Sequence, residues 1–138
     1  MTTSVVGAIA PKLEQIEIER ANRKPTESLD AYDCYMRGIS KFYQCTREGC
    51  REALQQFYRA IELDPHFAAA HGMTARCYVW RKSNGWGANG EQETKEAVRL
   101  AKRAIESGKD DAVALGCGGW ALTSIWKAAP HALSGLSC

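Results

Sequence analysis

Apolar residues along this chain recur at three- and four-residue steps, the spacing that gathers them on one face of an α-helix. Val6, Ile9, Leu13 and Ile16 form such a stripe over about residues 3–22. Pro11 lies inside it, which predicts a kink or a regular helix that starts only there. A second helix is expected behind a Ser28 cap, to about residue 44, with Tyr32, Tyr35, Met36, Ile39, Phe42 and Tyr43 as its apolar positions. A third spans about 47–63, carries Ala53, Leu54, Phe57, Ala60 and Ile61 on one face, and is stopped by Asp64-Pro65. A fourth spans about 67–82. A fifth spans about 91–107, with Ala97, Val98, Ala101, Ala104 and Ile105, and Gly108 suits its C-terminal end. A last helix begins near Asp111 and ends before Pro130. Residues 83–90 are glycine-rich and read as a loop. No run alternates apolar and polar residues, so the expected fold class is all-α.

The helices repeat. Ala53 and Ala60 lie seven apart, as do Ala97 and Ala104, and the two pairs are offset by 44 residues. Small residues recur in the intervening helices at Gly38, Ala75 and Gly119, with offsets of 37 and 44. Small side chains at fixed positions let antiparallel helices approach closely while large neighbours fill the gaps. At these positions the chain resembles the tetratricopeptide repeat family, with its period of about 34 residues and two helices, A and B, per repeat. Ala53, Phe57, Ala60 and Pro65 match helix B of a first repeat. Ala75 and Tyr78 match helix A of a second, and Ala97, Ala101 and Ala104 match its helix B, with alanine in place of the aromatic. Gly119 and Leu122 resemble helix A of a third, which lacks a recognisable helix B.

The resemblance implies an α-solenoid of about two full repeats, with an extra N-terminal helix and an orphan C-terminal helix. Its divisions are residues 1–25 for helix and linker, 26–128 for the repeats (28–65, 66–108 and a partial 109–128), and 129–138 for a tail. Departures from the pattern are about three extra residues near Thr46-Arg47-Glu48-Gly49 and about ten in the 83–90 loop. Leu29-Asp30-Ala31-Tyr32-Asp33, Arg37-Gly38 and Ala60-Ile61-Glu62-Leu63-Asp64-Pro65 are also similar to the region that follows the catalytic domain in some bacterial class III adenylate cyclases. Similar segments follow the DNA-binding domain of certain winged-helix regulators. The cyclase and DNA-binding motifs themselves do not occur here, so this likeness implies a signalling context and carries over no catalytic residue.

Composition narrows the function. With 138 residues, 45% hydrophobic and 25% charged, the chain has room for one globular domain. A net charge of +2, with basic residues scattered among acidic ones, gives no case for nucleic acid or an anionic membrane. No apolar run approaches the roughly 18–20 residues that span a bilayer. Val5 to Ala10 lacks a basic flank and makes a poor signal peptide, so a cytoplasmic location is expected. The six cysteines include no Cys-x-x-Cys pair, and the three histidines sit at no ligand spacing. Free thiols, mostly buried, are expected rather than a metal or a disulfide framework. No phosphate loop, serine nucleophile motif or paired metal ligand is present, and Glu14, Glu17 and Glu19 read as a solvated face. Neither enzyme activity nor a cofactor is expected.

Binding is the remaining reading. The resemblance implies a peptide or protein partner on the face lined by the A helices. If Gly38 holds the small position, Tyr32, Tyr35, Met36, Ile39, Phe42 and Tyr43 fall on the groove side, and Gly72, Met73, Arg76, Val79 and Trp80 take the matching places in the second repeat. Tyr35, Ile39, Met73, Arg76 and Trp80 are the first candidates for partner contact. For the first repeat, cover of this stripe by Val6, Ile9, Leu13 and Ile16 of the N-terminal helix is expected in preference to an open groove. The lysine, arginine and asparagine of the family's carboxylate clamp are not matched, since Tyr35 and Ile39 occupy two of its positions. From Ala112 onward Lys127 is the only charged residue. Ile125, Trp126, Leu133 and Leu136 have no partner helix in the pattern, so three alternatives are expected: a piece of a longer array, a tail folded back onto the second repeat, or a homodimer through Ile125 and Trp126.

Overall fold

The computed structural model describes residues 26–87 and 89–128. The expected N-terminal helix, and with it any cover of the first repeat, lies outside the described residues, as does the 129–138 tail. The described part is all-helical: α1 (Leu29–Phe42), α2 (Arg47–Leu63), α3 (Ala68–Ser83), α4 (Gly90–Ser107) and α5 (Ala112–Ala128). Each helix packs on the next, and α3 also packs on α5 and touches α1. Short connections make successive helices antiparallel neighbours.

Local chemistry sets the helix ends. The Ser28 hydroxyl accepts the Ala31 amide at 3.2 Å and Thr46 accepts that of Gly49 at 2.9 Å, so both cap first-turn donors. Asp64 ends α2 and holds the following turn by accepting the His66 amide at 3.1 Å. Its other carboxylate oxygen accepts from the Thr26 hydroxyl, which ties the start of α1 to the α2–α3 turn. The residues expected as an insertion near Thr46 are not in the turn. They form the cap and first turn of α2, where a Cβ on Gly49 would lie 2.6 Å from the Lys41 carbonyl.

Two cores follow. Tyr35, Phe42, Phe57, Phe67, Met73 and Cys77 fill the first, between α1, α2 and α3. Ala75, Val79, Ala97, Leu100, Ala121 and Ile125 fill the second, between α3, α4 and α5. Helix α3 contributes to both, which explains why its sequence has no one-sided apolar stripe: it is covered nearly all round. Its buried His71 places Nδ1 2.9 Å from the Phe67 carbonyl, and burial holds its pKa below the usual imidazole value.

The small positions behave differently along the chain. A Cβ on Gly38 would sit 2.6 Å from the Phe57 ring, so glycine here is what lets α1 and α2 close. Ala75 is fully buried. Gly119, expected to match them, has nothing within 4 Å of where its Cβ would be. The close approach in α5 belongs to its neighbour Gly118, where a Cβ would lie 3.0 Å from the Ala101 carbonyl and from the Ile105 side chain. Gly119 thus faces the side of α5 on which no described helix packs.

The expected open position of Ile125 is also corrected. It is only 2% exposed and packs in the second core against α3 and α4. Trp126, one residue on, turns outward and is 58% exposed. Among the described cysteines Cys50, Cys77 and Cys117 are buried free thiols, Cys34 is half-buried and Cys45 exposed.

Candidate functional site

Helices α1, α3 and α5 lie side by side and leave a groove of about 420 Å³ between them. Tyr35 and Ile39 enter it from α1, Met73 and Arg76 from α3, and Val113 and Trp120 from α5. Of the groove residues expected from sequence, Tyr35, Ile39, Tyr43, Met73 and Arg76 therefore meet in one concavity, whereas Tyr32, Met36 and Phe42 do not line it. Trp80 does not line it. It is half-buried against the first core, edge-on to Phe42 at 6.3 Å between ring centroids. Val79 turns to the second core, and Gly72 lies under α5, where a Cβ would come within 3.2 Å of Cys117.

The floor of the groove is packed into the first core, and among the described residues nothing covers its rim. The Tyr35 ring is 4.8 Å from Phe67 and 5.9 Å from Phe57, which anchors it in the first core. Burial, reinforced by the Asp111 carboxylate, raises its phenol pKa well above the ordinary value, so the hydroxyl stays protonated. Cys117 places its thiol 3.6 Å from the Met73 sulfur, and burial raises that thiol's pKa. The Arg76 guanidinium carbon stands 5.3 Å from the Phe42 ring centroid and 5.7 Å from that of Trp120. Both distances are within cation–π range. At the rim Val113 is 43% exposed and Trp120 45%.

The α5 wall of this groove was missed in the sequence. A signal for it exists: the offsets that relate Gly38, Ala75 and Gly119 also relate Ile39, Arg76 and Trp120.

Gly85, Gly87 and Gly90, between the end of α3 and the start of α4, border a smaller cavity of about 200 Å³ beside Lys82, Glu93 and Ile125. The ends of this connection are held by the Arg81–Glu93 ion pair at 2.9 Å and by the Asn89 cap on the Gln92 amide. It leaves a helix rather than a strand and enters α4 with Glu91 and Glu93 in the first turn. Carboxylates there disfavour a phosphate.

Over 107 residues the chain is 28% identical to "Putative adenylate cyclase 3" of Rhizobium meliloti (strain 1021), a match that takes in 78% of this chain and 18% of that protein. The chain thus spans less than a fifth of the length of this relative. No family model matches the chain, and no solved structure does.

Proposed function

We propose that this chain is a tetratricopeptide-type interaction module that takes a protein or peptide segment in the groove between α1, α3 and α5 and catalyses nothing itself. The observation that carries the reading is the convergence of Tyr35, Ile39, Met73 and Arg76 with Val113 and Trp120 around one open concavity. Aromatic, methionine and arginine side chains on a fixed scaffold are the residue types that dominate binding energy at protein interfaces. The order of helices supports it too, because α1–α2 and α3–α4 pack as successive hairpins with α5 alongside α3.

A random peptide library panned on the full chain tests this. Peptides should be enriched whose affinity falls at least about tenfold on Gly116→Trp. Gly116 lines the groove and has nothing within 4 Å of its Cβ position, so an indole there fills the site without disturbing a core. Enriched peptides indifferent to Gly116→Trp would remove the groove as the binding surface.

The adenylate cyclase relative favours a second reading: a regulatory or oligomerising segment of a bacterial signalling protein. The surface that fits it is the outer face of α5. Leu115 and Trp126 are exposed there at 39% and 58%, and Gly119 between them meets nothing. Such a face predicts a homodimer at micromolar concentration that Trp126→Glu converts to monomer. Sedimentation that finds the unaltered chain monomeric would dispose of this second reading and leave the groove untouched.

A further inference from the structure

We propose that the groove reads an acidic side chain, aspartate or glutamate, set within an apolar stretch of a partner protein, and that Arg76 is the residue that reads it. This rests on the groove reading above and adds the chemistry of the occupant. Among the described residues Arg76 is the only formally charged one that lines the groove. Arg37, Arg51, Arg59, Arg81 and Arg99 each have a carboxylate partner within the chain. Among the described residues Arg76 has none, as is also true of Arg47 and Arg103, which do not line the groove.

The Phe42 and Trp120 rings hold the cation in place, at 5.3 and 5.7 Å from centroid to guanidinium carbon. Contact with π faces does not consume N–H donors, which lie in the guanidinium plane and match the two oxygens of a carboxylate. A cation already pinned between rings loses little further freedom when it binds, so its pairing with a carboxylate retains more of its strength. The protonated Tyr35 hydroxyl is a further donor on the same floor. Around these polar groups the walls are apolar, through Ile39, Met73 and Val113. One acid between apolar neighbours is the segment whose charge and surface complement this site.

The peptides selected in the library above supply the probe. Those sensitive to Gly116→Trp should share an acidic residue at one position flanked by apolar ones. Replacing it by its amide should weaken binding to the unaltered chain about tenfold or more, read by fluorescence anisotropy. The same peptide change should cost nothing further on Arg76→Gln, and Arg76→Glu should select lysine or arginine at that position instead. The amide substitution is made in the peptide and measured on the unaltered protein, so a folding defect cannot imitate the result. Groove-dependent peptides without a fixed acid, or an amide penalty equal in the two chains, would overturn this inference while the groove stands. A library that yields no groove-dependent peptide would remove both.

Discussion

Phe57→Ala is expected to destabilise the domain by about 3–5 kcal/mol, a large share of the roughly 5–15 kcal/mol that holds a domain of this kind folded. The Phe57 side chain is completely buried where α1, α2 and α3 meet. Its ring lies 5.9 Å from that of Tyr35 and directly against Gly38. Urea denaturation followed by circular dichroism measures the loss as a lower midpoint. Tyr43→Ala is the control: that side chain is 64% exposed, and its removal should change stability by no more than about 0.5 kcal/mol. The contact with Gly38 gives a sharper check. Gly38→Ala alone forces a Cβ to within 2.6 Å of the ring and should cost about 1–3 kcal/mol. With Phe57→Ala already present that cost should largely vanish, because the obstructing atoms are gone. Strictly additive losses would mean that the ring does not limit the approach of α1 to α2.

Much of this fold was legible because helical periodicity reports which face of an element is covered. The expected start of α1 behind Ser28, the limits of α2, and the buried Ala53, Ala60, Ala97 and Ala104 all follow from it. Helices α3 and α5 are where the reading weakened. Neither has a one-sided apolar stripe, so periodicity could not say which residues face which neighbour. Trp80 was assigned to the groove and lies against the first core instead. Ile125 was judged to lack a partner and fills the second core. Both errors have one cause, since the direction of a side chain on an all-round apolar helix is decided by the neighbouring helices. The groove showed the same limit. Its α1 and α3 walls contain Tyr35, Ile39, Met73 and Arg76 but not Trp80 or Val79, and the α5 wall depended on a third helix that the sequence presents as an orphan.

Gly108 separates two explanations of the same glycine, and Gly108→Ala is expected to cost about 1–3 kcal/mol or more. In the sequence it reads as a helix end, a place where glycine serves a left-handed backbone that asparagine also tolerates. The structure gives a different reason. Its φ is −113°, which any residue adopts. A Cβ there would lie 2.6 Å from that of Ala114, 2.7 Å from that of Ala68 and 2.9 Å from the Ala104 carbonyl. These neighbours are β-carbons and backbone from α3, α4 and the start of α5, none of which can swing aside. Asparagine should therefore be as poorly tolerated as alanine, with a fall in thermal midpoint on the order of 4–8 °C per kcal/mol. Gly85 is the converse case: its φ is +69° and nothing lies within 4 Å, so Gly85→Asn should be nearly neutral. A stable Gly108→Asn would restore the helix-end explanation and imply a looser junction. If the junction is as tight as described, its effect should reach the groove. It fixes where α5 leaves α4, and α5 carries Val113, Gly116 and Trp120 as one wall. Under conditions where Gly108→Ala remains folded, it should therefore also weaken the groove-dependent peptides, although residue 108 itself lies outside the groove lining.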